Sequence, residues 1–143
     1  MELAIGLIAA TLVGVLATMF HYECLSWLAR LPVAPHRGHL LSVMLGLLAA
    51  HVLEIWFFAC AYWFMIDAGW GTVILQGRPP VLVDDLANLA YYSAVVYTTL
   101  GFGDVVPGGP IRYLTGAEAL MGLCLITWSA SFAFLRMQKH WDG

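Results

Sequence analysis

Charged residues are scarce in this chain of 143 residues, where Asp, Glu, Lys and Arg make up only 10%. A soluble domain carries roughly a quarter of such residues. The six lysines and arginines are scattered, without the basic run that nucleic-acid binding requires, so we expect no nucleic-acid partner. Hydrophobic residues make up 62% of the chain, which excludes a water-soluble globular domain and a disordered segment.

Cysteine is also rare, with Cys24, Cys60 and Cys124 at unrelated spacings among apolar neighbours. This pattern predicts neither a disulfide framework nor a metal motif, and we interpret the three side chains as buried thiols. No Ser-His-Asp, Cys-His or paired-carboxylate arrangement falls where a watery cleft would form. The sequence therefore predicts no enzyme and no cofactor.

Long apolar runs are what the chain has instead. Residues 3–20 contain no charge and would form a helix of about 27 Å, close to the roughly 30 Å hydrocarbon core of a bilayer. Residues 40–66 form a second run, and residues 113–135 form a third whose single charge is Glu118. The sequence predicts an all-α membrane protein with three transmembrane helices.

The first run has an alternative reading as a cleaved signal peptide. Glu2 stands where a signal peptide has a basic segment, and no small-x-small cleavage site follows the run. We therefore interpret residues 1–38 as an additional transmembrane helix followed by a cytoplasmic loop.

Residues 81–110 fit neither a water-exposed loop nor a full crossing. Asp84 and Asp85 stand where an N-cap and a first-turn acid would lie, and residues 86–98 would form a helix of about 20 Å. A helix this short must enter the bilayer and turn back. Residues 99–104 follow it with glycines at alternate positions, which allow successive carbonyl oxygens to point the same way.

Irregular backbone within hydrocarbon is tolerated only where protein buries it or where it lines a water-filled path. Several copies of such a carbonyl row around an axis would replace the hydration shell of a monovalent cation. Residues 98–104, Thr-Thr-Leu-Gly-Phe-Gly-Asp, resemble the selectivity-filter signature of potassium channels, Thr-Val-Gly-Tyr-Gly-Asp. Tyr91 and Tyr92 lie where that family often has an aromatic pair, and Gly122 lies at a spacing similar to that of its inner-helix hinge.

The resemblance extends over residues 40–137 and implies an ion-channel pore domain over residues 39–143. Its parts would be an outer helix over 40–66, a pore helix over 86–98, a filter over 99–104 and an inner helix over 112–136. The resemblance also implies that K⁺, the permeant ion, binds the carbonyls of the filter, with Asp104 at the outer mouth. The implied filter residues are Thr99, Leu100, Gly101, Phe102 and Gly103, of which the first four bind K⁺; Leu123, Ile126 and Ala130 would line the cavity.

Three departures from the family pattern leave alternatives open. Leu100 replaces valine, and Phe102 replaces tyrosine and so lacks the phenol hydroxyl. Val95 stands where some members carry a glutamate behind the filter, so a partner for Asp104 must come from elsewhere. A weakly selective monovalent cation channel and a non-conducting membrane subunit or scaffold remain alternatives to a potassium channel.

Two acids lie inside the predicted spans, Glu54 in the second and Glu118 in the third. Ionisable groups at that depth are functional candidates, and we expect either one to support the pore helix through the hydroxyls of Tyr92, Ser93 or Tyr97. A carboxyl that is merely hydrogen-bonded between helices is the alternative.

Histidines are the remaining candidates. His51 and Glu54 lie three residues apart on one helical face, and they could bind a metal, sense protons or form an internal polar contact. Two ligands fall short of the usual three or four for a metal. The other histidines lie near the ends of the predicted spans, where we expect interfacial solvation: His21, His36, His39 and His140.

Basic residues predict the orientation. Arg30 and Arg37 lie in the expected loop 21–39, and Arg136 and Lys139 lie near the C-terminus, so four of six basic residues fall on one side. That side is expected to be cytoplasmic, with the N-terminus outside and the chain in the plasma (inner) membrane. None of the spans carries the repeated arginines of a voltage sensor.

The resemblance implies a homotetramer in the lipid bilayer, because a ring of carbonyls needs several chains. A separate regulatory subunit is conceivable, and its identity is unknown. Each chain is expected to carry a net charge of −2 on its outer elements, which would attract cations to the entrance. The residues in that charge are Asp67, Arg78, Asp84, Asp85, Asp104 and Arg112.

Overall fold

The computed structural model describes residues 1–31, 37–77 and 79–141, without the side chains of Arg37, His39, His140 and Trp141. Within this part four helices follow one another, and they give the chain the predicted all-α fold. Three of them, α1, α2 and α4, are long and apolar enough to cross a membrane. Arg78 and His36 lie outside the described residues. The bounds are Glu2–Arg30 for α1, Arg37–Asp67 for α2, Leu86–Tyr97 for α3 and Ile111–Trp141 for α4.

Helix α1 is longer than the sequence predicts. The expectation of a loop from residue 21 to residue 39 is wrong, because α1 spans 29 residues in all and ends only at Arg30. Beyond Phe20 the sequence becomes more polar, but Leu25 and Leu28 remain buried against the rest of the bundle. Tertiary packing therefore extends the helix past the end of its uncharged run.

A stripe of mostly small residues docks α1 onto the bundle. The buried positions recur every three or four residues, as the face of a helix requires. Small side chains let helix backbones approach closely in a membrane. A methyl group on Gly6 would lie 2.6 Å from the carbonyl oxygen of Pro110. The buried residues of the stripe are Gly6, Ala10, Gly14, Ala17, His21, Leu25 and Leu28.

The end of α1 is also held by a side chain of α4. Arg136 is largely buried, and its guanidinium donates hydrogen bonds to the carbonyl oxygens of Leu31 at 2.7 Å and Ala29 at 3.4 Å. These carbonyls have no partner within the helix, so the cation both satisfies them and complements the negative end of the helix dipole.

The short helix α3 begins at a side-chain cap. Asp85 is the N-cap, and one of its carboxylate oxygens accepts the backbone N–H of Asn88 at 2.9 Å. This hydrogen bond, together with one from the Asn88 side chain, lowers the pKa of Asp85 below its ordinary value. Asp84 precedes the cap, so no acid occupies the first turn, contrary to the expectation for this pair.

The segments that connect α2, α3 and α4 form a small antiparallel sheet, which the sequence did not predict. Strand β1, Thr72–Leu75, pairs with β2, Val81–Leu82, on one side and with β3, Val105–Gly108, on the other. Because β3 directly follows residues 99–104, the sheet anchors the far end of that loop. The peptide N–H of Gln76 extends the pairing to the carbonyl oxygen of Asp104, at 2.6 Å.

The interpretation of all three cysteines as buried is wrong. Cys60 and Cys124 are exposed in the chain, and Cys24 is partly exposed. Apolar neighbours do not distinguish the two faces of a membrane helix, because the face toward lipid or another subunit is as apolar as the core.

Replacing Gly6 with alanine tests the docking of α1. The added methyl would meet backbone, so we expect Gly6→Ala to destabilise the protein by about 1–3 kcal/mol. Gly116→Ala on α4 is the matched control, because a methyl there has no atom within 4 Å. Thermal unfolding in detergent measures both. Equal stability of the two variants would contradict close packing of α1.

Candidate functional site

We call residues 99–104 the filter loop because they resemble the selectivity filter of potassium channels. The backbone of this loop alternates between two conformations. Thr99, Gly101 and Gly103 have φ angles of 59°, 55° and 78°, whereas Leu100 and Phe102 between them are not in the positive-φ region. Alternation of this kind turns successive peptide groups so that their carbonyls lie on one side of the chain. Thr99 adopts the left-handed conformation without being a glycine, which costs about 1–2 kcal/mol.

Hydrogen bonds that the loop donates to the end of α3 hold this conformation. The N–H of Thr99 donates to the carbonyl of Val96 at 2.9 Å, and those of Leu100 and Gly101 donate to the carbonyl of Val95 at 3.0 and 3.3 Å. Among the described residues, no hydrogen bond ends on the carbonyls of residues 99–102. The peptide donors are thus turned inward, and the carbonyls remain available to a ligand.

Asp104 ends the filter loop at the sheet. Its side chain accepts a hydrogen bond from the hydroxyl of Tyr91 on α3 at 2.9 Å. The sequence left the partner of Asp104 open, and the structure supplies a phenol in place of a second acid. Tyr91 therefore joins the middle of α3 to the end of the filter loop next to the sheet.

Glu118 on α4 is fully buried and accepts hydrogen bonds from two other helices. Ser93 on α3 donates to one carboxylate oxygen at 2.5 Å, and Tyr62 on α2 donates to the other. Tyr92, also expected as a partner, instead contacts the Thr115 hydroxyl at 2.8 Å. Tyr62 was not singled out from the sequence, where nothing distinguishes it from the other tyrosines of the spans.

Glu54 on α2 is also fully buried and forms a second such centre. The hydroxyl of Tyr97, the last residue of α3, donates to one of its oxygens. His51 Nδ1 lies 3.0 Å from the same oxygen, as the three-residue spacing predicts, and His21 Nδ1 lies 2.8 Å from the other. Glu54 thus connects α1, α2 and α3 at the base of the filter loop.

The expectation that His21 lies at a solvated interface is wrong. Its side chain is fully buried in the second half of α1, and its Nε2 lies 3.3 Å from the Ser129 hydroxyl of α4. A signal for this was present, since His21 lies four residues after Ala17 and four before Leu25 on the small-residue stripe. His36 and the side chains of His39 and His140 lie outside the described residues.

His21 adds a third potential ligand to the His51 and Glu54 pair. One ligand atom from each of the three residues can be chosen so that all lie within 4.8 Å of one another. Two imidazole nitrogens and one carboxylate oxygen form a donor set that binds zinc in proteins. The sequence indicated only two ligands. His21, which lies 30 or more positions from His51 and Glu54 in the chain, supplies a third.

Gly122 lies within the uninterrupted helix α4, where it contacts the end of α3. A methyl group on Gly122 would lie only 2.0 Å from the carbonyl oxygen of Tyr97. This close approach is sufficient to explain the glycine, whereas its expected role as a hinge stays a prediction. Farther along α4 the expected cavity residues share an exposed face: Leu123, Ile126 and Ala130.

Removing the Tyr97 hydroxyl tests the support that Glu54 gives to α3. We expect Tyr97→Phe to destabilise the protein by about 1.5–3 kcal/mol, because the hydroxyl donates to a buried carboxylate. Tyr22→Phe on the exposed side of α1 is the control, since Tyr22 is 54% exposed. Thermal unfolding compares the two variants. A loss no larger than that of the control would contradict the support.

The comparisons with known proteins agree with this geometry. A family model described as ion channel matches residues 38–139, which contain all but the first residue of α2, the whole of α3 and the filter loop, and most of α4. No curated protein and no solved structure gives a significant match. Helix α1 lies outside the matched region and is compatible with it. The chain belongs to the ion-channel family of two-helix, potassium-channel-like pore domains, and it carries one additional N-terminal helix.

Proposed function

We propose that four copies of this chain surround one pore and conduct K⁺ passively down its electrochemical gradient. The observation that carries the proposal is the row of carbonyls at residues 99–102, which the alternating backbone presents and which no donor in the described chain occupies. Such carbonyls replace the water around a dehydrated cation. Thr99 would add its hydroxyl oxygen to the innermost site.

Exposure of the filter loop supports an assembly of several copies. Leu100 and Phe102 are 56% and 64% exposed in the isolated chain, although both are large and apolar. Neighbouring copies would cover these side chains, and cyclic symmetry would close the ring. The exposed face of α4 that holds Leu123, Ile126 and Ala130 would then line the cavity below the filter.

Electrostatics favours a cation on both sides of the filter. Helix α3 ends at Tyr97 next to the loop, so the negative end of its dipole would point toward the cavity. On the opposite side Asp104 is only partly buried and lies directly before strand β3. We place this acidic side outside the cell, with the N-terminus, and the Arg136 end of α4 in the cytoplasm of a cell whose plasma (inner) membrane holds the protein.

The preference for K⁺ depends on how rigidly the ring of carbonyls is held. Phe102 lacks the hydroxyl that tyrosine would contribute, but the hydrogen bond from Tyr91 to Asp104 holds the outer end of the loop. Ser93 and Tyr97 hold α3 from behind through Glu118 and Glu54. A weakly selective cation channel is the second candidate, favoured by the missing phenol.

Flux through liposomes tests conduction. We expect purified protein to pass K⁺ and to be blocked by barium, and we expect Gly101→Ala to reduce the flux at least tenfold. Alanine is strained at the φ of 55°, and its methyl would crowd the ring of carbonyls. Gly69→Ala is the matched control, because Gly69 has a φ of 72° and equally open surroundings but lies outside the filter loop.

Three outcomes would contradict the proposal in different ways. Vesicles that stay tight to K⁺ would favour a non-conducting subunit. Equal flux in Gly101→Ala and Gly69→Ala would refute the filter assignment. A reversal potential that does not respond when Na⁺ replaces K⁺ would favour the weakly selective channel.

A further inference from the structure

Three side chains from two helices converge at the centre of the bundle. His21 of α1 and Glu54 of α2 are fully buried, and His51 of α2 is 16% exposed. The Nδ1 atoms of both rings face the same carboxylate, at 2.8 and 3.0 Å from its two oxygens. On the far side of the rings both Nε2 atoms face a single hydroxyl, that of Ser129 on α4, at 3.3 and 3.0 Å.

The cluster has too few protons to satisfy all of its hydrogen bonds. An ionised carboxylate only accepts, and the Tyr97 hydroxyl, 2.9 Å from His51 Nδ1, already donates its proton to Glu54. Each Nδ1 must therefore carry a proton. In neutral rings both Nε2 atoms are then acceptors, and the Ser129 hydroxyl has one proton to give. One ring nitrogen is left facing an oxygen lone pair in a buried site, which is costly. The cluster therefore needs one further positive charge.

We propose that His21, His51 and Glu54 bind a divalent transition-metal ion of the zinc class. The two Nδ1 atoms and one oxygen of Glu54 supply three ligands, and a fourth position stays open for a small ligand. Both ring protons then move to Nε2, where both can donate to the two lone pairs of Ser129 Oγ. The hydroxyl of Tyr97 donates to Glu54 and orients the carboxylate.

Ser129 and Tyr97 thus occupy the positions of outer partners that orient metal ligands. His51 is 16% exposed in the isolated chain, so the chain by itself does not fully enclose the site. The ion would join α1 to α2 directly and to α3 and α4 through these two hydroxyls. Its role is that of a clamp between the additional helix and the pore domain, and its binding does not depend on conduction.

Cobalt titration of the purified, chelator-treated assembly tests the site, because Co²⁺ replaces Zn²⁺ and absorbs visible light when it is tetrahedral. We expect saturable absorption at about one Co²⁺ per chain, displaced by Zn²⁺. We expect His21→Gln to weaken binding at least a hundredfold. Ser129→Ala keeps all three ligands and should weaken binding about tenfold.

Two control variants test whether the ligands are the assigned ones. His140→Gln changes a histidine in the last turn of α4, and Cys24→Ser removes a thiol from the turn of α1 that follows His21. Both should bind Co²⁺ as the wild type does. A loss of binding in either one would overturn the ligand assignment.

Thermal unfolding gives a second readout, which remains usable if His21→Gln does not fold. Zn²⁺ should raise the midpoint temperature of unfolding of the wild type. Ser129→Ala should need higher Zn²⁺ concentrations for the same rise. The proposal would be overturned if the folded wild type showed no saturable uptake of Co²⁺. It would also be overturned if the midpoint temperature of unfolding responded to pH but not to Zn²⁺, because a proton would then supply the missing charge. Metal binding without K⁺ flux would refute the proposed function and leave this site standing.

Discussion

Two buried carboxylates determine where the short helix α3 lies. Glu54 and Glu118 carry acceptors that must be satisfied inside the membrane, because an unpaired buried carboxylate is very costly. Tyr97 and Ser93 of α3 satisfy them from one side, and residues of α1 and α2 complete the contacts. Hydrogen bonds to these acids therefore hold a helix that is too short to span the bilayer and too short to be stable alone.

The conformation of the filter loop follows from the position of α3. Three consecutive peptide groups of the loop donate to the last carbonyls of that helix, so the loop takes its geometry from the helix end. The sheet fixes the other end through Asp104 and Gln76. With both ends held, the positive φ angles of Thr99, Gly101 and Gly103 turn the carbonyls outward. Rigidity behind the loop is what a selective ring of carbonyls requires.

Helix α1 is integrated into this arrangement. Its small-residue stripe packs against the other helices, Arg136 holds its end, and His21 reaches the carboxylate that supports Tyr97. The additional helix thus contacts the same buried centre as α3. Two hydrogen bonds, from His21 to Glu54 and from Tyr97 to Glu54, link α1 to the end of α3 next to the filter loop.

The sequence alone determined the elements that depend on composition and local pattern. Long apolar runs predicted the three long helices, alternating glycines marked the loop, and the spacing of His51 and Glu54 predicted their contact. Only the tertiary structure decided which distant residues meet. His21 and Ser129 lie 108 positions apart, and their contact depends on how α1 packs against α4. A membrane helix is apolar on every side, so its hydropathy does not reveal which face is buried, and a stripe of small residues such as that of α1 does not reveal which helix it contacts.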